Sequence, residues 1–309
     1  MALTKVTYVD GQTVIGATNL NAIHDEIIAN AQNLNYALGI RPRIKDITSY
    51  YNDGTIWNRI SGTGYPASYW DIMPGDYIKM SRAISAYNQD QTYQTTGSQY
   101  VTIASCGGLY GNGSASIVNY NHLVMVPGQG EGGAQHFGRS RMNPTGTTVG
   151  GYVGSEMFTT TLGAVTSTGS TASTATINEQ LYAEFGSHLK TTSEQLSTGI
   201  NASGYNRLGT NSGCSNSWAW TNVQAVLMSE IEVYGSIVWS SSGYDTGTAK
   251  RQFELFAMSN KAINNRSAYY WLKDVASASY FWYCNDYGYA NYYGASRSAN
   301  FVRPRFVIA

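Results

Sequence analysis

The C-terminal stretch WLKDVASASYFWYCNDYGYANYYGAS (residues 271–296), followed by VRPRF (residues 302–306), decides the fold of this chain. Aromatic and polar residues alternate around the turn at Asp286-Tyr287-Gly288, and a period of two predicts a β-hairpin. The even positions carry small residues, Cys284, Gly288 and Ala290, which we expect to face the interior. The odd positions are expected to face solvent and carry Tyr283, Asn285, Tyr287, Tyr289, Asn291 and Tyr293.

A solvent-exposed face of Tyr and Asn is typical of a binding surface, because Tyr supplies rigid aromatic area and Asn supplies adaptable hydrogen bonds. Tyr rings also stack on the faces of sugars, and Asn side chains bind hydroxyl groups. We therefore interpret this face as a binding site, with Trp282 and Arg297 near its edge. The alternative is that the same tyrosines cover a core or an oligomer interface.

The composition excludes several classes of partner. The 309 residues include 19 Lys or Arg and 19 Asp or Glu, so the formal net charge is zero. Charged residues make up 12% of the chain, against roughly 25% in an average soluble protein. This argues against nucleic-acid binding through a basic patch and against a polybasic membrane anchor. Hydrophobic residues, at 42%, are ample for a packed core.

The chain carries no obvious targeting or cross-linking signal. Residues 1–10 lack the apolar run of a secretory signal, and no stretch of about 18 apolar residues predicts a membrane span. We therefore expect synthesis in a cytoplasm without a signal peptide, and no membrane insertion. Cys106, Cys214 and Cys284 are far apart and form no CxxC motif, so neither a disulfide scaffold nor a zinc site is expected.

Residues 1–42 differ from the rest of the chain. Apolar residues recur at steps of three or four, which predicts one helix of about twenty residues that ends before Gly39 and Pro42. Such a narrow stripe suits a coiled-coil seam, and the alternative is a helix packed on its own domain. About three heptads would assist an oligomer without forming one alone. The predicted seam consists of Leu20, Ile23, Ile27, Ala31, Leu34 and Leu38.

After Pro42 the pattern changes to short strands and turns. Residues 43–60 are predicted to form short strands, with Asp53-Gly54 as a hairpin dipeptide, and residues 43–80 are predicted to be a connecting β segment. The main domain is expected over residues 81–309. Within it we predict strands over 100–126, helices over 155–165 and 177–189, a flexible Ser/Thr-rich insertion loop over 166–176 and a buried element over 223–240.

Evidence for catalysis is weak in the sequence. No HExxH, GxSxG, GxGxxG or P-loop motif is present, and the four histidines, His24, His122, His136 and His188, are scattered. We expect no catalytic residue, no metal and no cofactor. A glycan-cleaving enzyme is kept as an alternative, since two carboxylates about 5–10 Å apart would suffice for glycoside hydrolysis. The candidates are Glu156, Glu179, Glu184, Glu230 and Glu232.

Several separated motifs together resemble a known family. The patterns Trp-Leu-x-x-Val-x-Ser-Ala-x-x-Phe, Asn-x-x-Gly-x-Ala, Ala-Ser and Val-Arg-Pro-Arg-Phe resemble the end of a C-type-lectin-like domain, which is common in fibre and tail proteins of phages and prophages of gut bacteria. Phe301 stands where the family usually has Gly, and residues 166–176 resemble an insertion. The resemblance covers roughly residues 70–309 and also includes residues 142–145, 150–155, 185–189 and 235–239.

The resemblance implies a fold class and a role. It implies an α+β chain in which an N-terminal helix, as a trimeric coiled coil in one interpretation, precedes a C-type-lectin-like domain of short antiparallel strands. Related phage proteins vary the residues equivalent to Tyr283–Tyr293 to change host. Residues 10–13 and 20–23 resemble the virion-proximal start of such fibres. The calcium motif Glu-Pro-Asn or Gln-Pro-Asp is missing, as are the paired cysteines of formylglycine-generating enzymes, so neither activity is expected.

The sequence therefore predicts an adhesin on a virion fibre or tail tip, located in the virion and not an enzyme. Its expected partners are two further copies of itself, other virion proteins at residues 1–42, and a bacterial surface glycan or protein bound by residues 81–309. The main alternative is a structural head or neck decoration fibre in which the same tyrosines bury against a neighbouring subunit.

Overall fold

The computed structural model describes residues 44–61, 72–87, 95–109, 121–129, 135–201, 214–238, 240–241, 243–248, 251–258 and 269–309, together with residues 30 and 266. The chain divides into two compact units, Met1–Arg43 and Ile44–Ala309. The predicted coiled-coil seam, Leu20, Ile23, Ile27, Ala31, Leu34 and Leu38, lies outside the described residues and stays a prediction. The elements below belong to the second unit.

The described part of the chain is a mixed α+β fold with few helices. The helices are α1 (Thr48–Asn52), α2 (Thr55–Ser61), a π-helix (Met157–Leu162), α3 (Ile177–Phe185), a 3-10 turn (Gly186–His188), α4 (Glu230–Tyr234) and α5 (Glu254–Ala257). The strands are β1 (Tyr77–Lys79), β2 (Tyr100–Cys106), β3 (Leu123–Pro127), β4 (Leu189–Lys190), β5 (Thr192–Ile200), β6 (Ser215–Val223), β7 (Val226–Leu227), β8 (Tyr270–Val275), β9 (Tyr280–Cys284), β10 (Ala290–Gly294) and β11 (Pro304–Ile308). No described helix has both the length and the apolar character needed to cross a membrane.

The described strands form three antiparallel sheets. The largest has the order β1-β2-β3-β11-β4, and β7 also pairs with β11. The second has the order β10-β9-β8, and the third consists of β5 and β6 alone. Strand β11 contains the last three residues of the VRPRF motif and pairs with β3, β4 and β7, and all five of its residues are buried. The end of the motif therefore lies on an interior strand of the largest sheet.

Strands β8 and β9 are covered on both faces. Residues alternate between the two faces of a strand, and here alternate residues enter two different hydrophobic clusters. Because both faces are buried, the β8–β9 pair resembles an interior sheet more than a half-exposed hairpin. One cluster includes Trp271, Phe281 and Tyr283, and the other includes Leu272, Trp282 and Cys284.

The prediction of strands over residues 43–60 is wrong. Apart from one bridge between Asp46 and Tyr77, the segment forms the two helices α1 and α2. Asp53-Gly54 joins these helices instead of turning a hairpin, because the Asp53 carboxylate accepts hydrogen bonds from the backbone N–H and hydroxyl of Thr55 at 2.8 and 2.6 Å. These bonds lower the pKa of Asp53. Buried apolar residues four positions apart, Ile56 and Ile60, then enter the core from one side of α2.

Other predicted elements are confirmed. The helix predicted over 177–189 is α3 with its 3-10 extension, and a capping box between Thr176 and Glu179 begins it. The helix predicted over 155–165 is present as the π-helix. The strands expected over 100–126 are β2 and β3, and residues 223–240 contain the largely buried β7 and α4.

The Ser/Thr-rich segment 166–176 is a loop, as predicted. Its first residue is held in place, because the Gln224 side chain accepts from the Thr166 N–H at 3.0 Å and donates to the Thr166 carbonyl at 2.8 Å. The Ser170 N–H donates to the Glu179 carbonyl at 3.1 Å. The loop is therefore fastened to the domain at two points.

Candidate functional site

The candidate site is a tyrosine hairpin, which we define as β9, β10 and the turn between them (residues 280–294). β9 lies between β8 and β10, and β10 forms the edge of this sheet. The register pairs Tyr283 with Asn291 and Trp282 with Tyr292. Residues paired in this way project to the same side of the sheet.

The turn of the hairpin is organised by Asn285. Its side-chain oxygen accepts hydrogen bonds from the backbone N–H groups of Tyr287 and Tyr289 at 3.0 and 2.8 Å. Gly288 has a φ of +81°, and a Cβ there would approach Arg266 Cβ at 3.3 Å, so the position suits Gly. Asn285, predicted to contact a receptor, therefore uses its side-chain oxygen to shape the turn.

Two tyrosines at the turn are highly exposed. Tyr287 is 75% exposed and Tyr289 is 68% exposed. Their rings are stacked, with centroids 6.4 Å apart and planes 24° apart. A second exposed pair, Tyr280 and Tyr292, lies on the strands with centroids 5.3 Å apart. The hairpin thus presents four aromatic rings to solvent on a hydrogen-bonded scaffold.

A row of aromatic residues lies on the opposite face of the sheet from Tyr280 and Tyr292. Tyr283 stacks on exposed Tyr269 at 5.9 Å and meets Tyr293 edge-on at 5.6 Å. The Arg297 guanidinium lies 4.9 Å from the centre of the Tyr293 ring, a cation–π contact. The Tyr269 hydroxyl bonds to the Asp286 carboxylate, which raises the pKa of Tyr269.

The expectation that odd positions face solvent and even positions face the interior is wrong for several residues. Tyr283, at an odd position, is only 5% exposed because it belongs to one hydrophobic cluster. Trp282, at an even position, is buried in the other cluster as the alternation predicts, but this contradicts its predicted place at the edge of the binding site. Exposed Tyr269, Tyr280 and Tyr292 were missed. Asn291 and Arg297 are exposed, while Asn285 and Tyr293 are half-buried.

A signal for this arrangement was present in the sequence. Phe281-Trp282-Tyr283 and Tyr292-Tyr293 are runs of consecutive aromatic residues, and such runs indicate aromatic side chains on both faces of a strand. On β9 the run is buried on both sides, whereas on the edge strand β10 it leaves Tyr292 exposed.

The edge strand β10 is partly protected from pairing with another chain. The Tyr292 N–H donates to the side-chain oxygen of Asn291 at 2.8 Å. An occupied donor is not available to a foreign strand, and natural edge strands commonly carry such protection. Pairing of a further strand with β10 is therefore hindered at Tyr292.

We expect Asn285→Ala to loosen the turn, because two backbone N–H groups lose their shared acceptor. The free energy of unfolding should fall by about 1 kcal/mol, and amide hydrogen exchange of a peptide covering residues 285–290 should accelerate. Asn285→Asp keeps a carbonyl-type acceptor and serves as the matched control. Equal exchange rates in the Ala variant and the parent chain would contradict this role of Asn285.

The glutamates considered for glycoside hydrolysis all have structural partners. Glu156 pairs with Arg141, Glu179 belongs to the capping box of α3, and Glu184 accepts from Tyr51 and Ser81. The buried Glu230 accepts from the backbone N–H groups of residues 238 and 240 at 3.1 and 2.9 Å. Buried Glu232 bonds to Arg305 at 3.0 Å.

The described histidines take part in packing. His136 stacks on Phe301 at 3.8 Å, and burial together with Arg139 and Arg303 lowers its pKa to about 4. The Arg139 guanidinium lies 4.5 Å from the centre of the Phe301 ring. Phe301 is thus accommodated between a histidine and an arginine.

The remaining candidate ligands are dispersed. His122 Nε2 accepts from the Leu109 N–H at 3.1 Å, His188 stacks on Trp57, and His24 lies outside the described residues. The three cysteines are all described, all buried and form no disulfide. In the part of the chain that the structure describes, no group of three His, Cys, Asp or Glu residues could hold a metal ion.

Comparison with known proteins adds no relative. No family model matches the chain, and no curated protein or solved structure matches it.

Proposed function

We propose that the chain is an adhesin of a virion fibre or tail tip that binds a bacterial surface receptor through the tyrosine hairpin. The observation that carries this proposal is the exposure of Tyr280, Tyr287, Tyr289 and Tyr292 on one short hairpin. Solvent-exposed aromatic clusters on a rigid scaffold are typical of recognition surfaces, since Tyr contributes contact area with little loss of side-chain entropy.

The lectin-like fold is part of the proposal, and contacts between the resembling motifs support it. The backbone N–H groups of Met142 and Asn143 both donate to the Ala295 carbonyl at 2.9 Å. Thr148, between two of these motifs, donates to the Ala278 carbonyl at 3.0 Å. Residues 142–148 thus contact the chain just outside the open end of the tyrosine hairpin, at Ala278 and Ala295.

The role of residues 1–42 is proposed from the sequence alone. Their helix would attach the protein to other virion proteins and assist a homotrimer as a coiled coil. Three copies per fibre would bring three hairpins to the same cell surface. Binding of modest strength at each site then gains avidity, because the second and third contacts form at a high effective concentration.

The test is adsorption of the purified full-length chain to cells of candidate bacterial hosts. We expect the double variant Tyr287→Ala/Tyr289→Ala to lose at least about tenfold in apparent affinity, since the two most exposed rings are removed. Tyr244→Ala removes an exposed tyrosine far from the hairpin in sequence and is the matched control. Its adsorption should equal that of the parent chain.

The mass of each variant in solution separates the proposal from its alternative. An adhesin keeps its oligomeric mass when adsorption is lost. If the double variant instead dissociates, the tyrosines form a subunit interface, as expected of a structural decoration fibre. Unchanged adsorption of the double variant would also contradict the proposal.

A further inference from the structure

A second aromatic surface lies on the two-stranded sheet β5–β6, separate from the tyrosine hairpin. Alternate positions of β6 carry Asn216, Trp218, Trp220 and Asn222, and all four are exposed. We call this set the Trp–Asn face. Trp218 is 40% and Trp220 is 46% exposed. Among the other tryptophans that the structure describes, Trp57 is half-buried and the remaining two are buried.

The two indoles point away from the core. The register places Trp220 opposite Gln195 and Trp218 opposite Ser197, whereas Leu196 lies on the other face of β5 and is buried in the core. Because side chains alternate between the two faces of a strand, the tryptophans lie on the face opposite Leu196. Their exposed fractions of 40% and 46% show that both indoles reach solvent.

The indole rings of Trp218 and Trp220 are nearly perpendicular, and we call their arrangement a corner. Their ring centroids are 5.9 Å apart and their planes are at 86°. Two perpendicular rings offer one flat face and one adjoining edge, which suits a small three-dimensional ligand better than a flat one. A pyranose ring fits this shape, because its axial C–H groups pack on one aromatic face while its rim meets the second ring.

Along strands β5 and β6, the exposed residues on the same face as the corner are polar and uncharged. The single charged residue in β5 and β6 is Glu194, which is buried and bonded to Arg305. Exposed Asn216 and Asn222 flank the indoles. Amides both donate and accept, and therefore match hydroxyl groups without requiring charge on the ligand.

The strands hold the face in position. The Thr198 hydroxyl lies 3.1 Å from the Ser217 hydroxyl, and a bulge interrupts the register between Ser197 and Gly199. Bulges fix the direction of neighbouring side chains. A preformed site of this kind loses little entropy when a ligand binds.

From the perpendicular indoles, the flanking amides and the lack of exposed charge on these two strands, we infer that the Trp–Asn face binds a neutral carbohydrate. This site is independent of the proposed function of the tyrosine hairpin. Paired exposed aromatic residues of this kind mark an interaction surface, whereas single exposed hydrophobic residues are ordinary.

The experiment titrates the full-length chain with maltohexaose, mannohexaose and chitohexaose and follows tryptophan fluorescence. We expect a saturable change with at least one of these probes. Trp218→Ala and Trp220→Ala should each weaken binding at least about tenfold, and the double variant should lose it. Arg251→Ala removes an exposed side chain that belongs to neither the tyrosine hairpin nor the Trp–Asn face. It is the control and should bind the oligosaccharide like the parent chain.

Three results would overturn the inference. The first is that the parent chain binds none of the three probes. The second is that the tryptophan double variant binds as tightly as the parent chain. The third is that this variant has a smaller mass in solution than the parent, which would make the Trp–Asn face a contact between copies of the chain. Since both indoles are exposed, the variants should unfold at the same denaturant concentration as the parent.

Discussion

Replacing Arg305 by alanine is expected to lower the free energy of unfolding by about 3–5 kcal/mol, because the change leaves two buried carboxylates without their partner. Arg305 is fully buried on β11, an interior strand of the largest sheet. Its guanidinium donates to Glu194 and, at 3.0 Å, to Glu232. Burial alone would lower the pKa of Arg305, but the two carboxylates more than offset this effect and the pKa is raised.

The carboxylates of Glu194 and Glu232 each make further contacts besides the one with Arg305. Glu194 accepts from the Thr248 hydroxyl and lies 4.0 Å from the Lys273 ammonium, and its pKa is lowered although burial opposes this. Glu232 accepts from the Ser229 N–H at 2.8 Å. Arg305 therefore joins β5, α4 and β11 through one side chain.

Chemical denaturation of Arg305→Ala and of Arg251→Ala gives the matched comparison. Arg251 forms an exposed pair with Glu254 at 3.6 Å, and loss of an exposed pair typically costs less than about 1 kcal/mol. If both variants unfold at the same denaturant concentration, Arg305 does not have the structural role assigned to it.

Replacing Tyr283 by alanine is expected to destabilise the protein by about 3 kcal/mol, as truncation of a large buried aromatic side chain usually does. Tyr283 meets Trp271 edge-on at 6.3 Å and lies in the core cluster with Phe281. Thermal and denaturant unfolding measure the effect directly. The sequence predicted the opposite position for this side chain, namely that Tyr283 faces solvent.

Tyr287→Ala provides the control for this change, because it removes the same side chain from an exposed position four residues away. Its free energy of unfolding should stay within about 0.5 kcal/mol of the parent value. If the Tyr283 variant adsorbs less, the loss can arise from unfolding of the protein. If the Tyr287 variant adsorbs less, the loss arises from the missing side chain at the surface. Equal stability of the two variants would contradict the burial of Tyr283.

The sequence located the tyrosine hairpin correctly but assigned its faces incorrectly. The turn Asp286-Tyr287-Gly288 and the period of two were sufficient to predict a hairpin, since both are local properties. Which face meets solvent depends on what packs against it. Two hydrophobic clusters cover β9 from both sides, and no pattern within residues 280–294 determines where those clusters lie.

The prediction of strands over residues 43–60 was wrong for a different reason. Asp53-Gly54 was read as a hairpin turn, although the same dipeptide can end one helix and begin the next through the hydrogen bonds of Asp53 to Thr55. The helical spacing of Ile56 and Ile60 was available in the sequence. Short helices of five and seven residues have little intrinsic stability, so their formation here depends on tertiary packing.

The sequence by itself determined the properties that arise from neighbouring residues. These are the hairpin turn, the capped helix α3, the low charge and the concentration of tyrosine near the C-terminus. Only the tertiary structure decided that Tyr283 is interior, that Arg305 is buried between two glutamates, and that Trp218 and Trp220 form an exposed corner. Burial and ion pairing bring together residues that are far apart in the chain. The local periodicity of the sequence holds no information about which distant residues will meet.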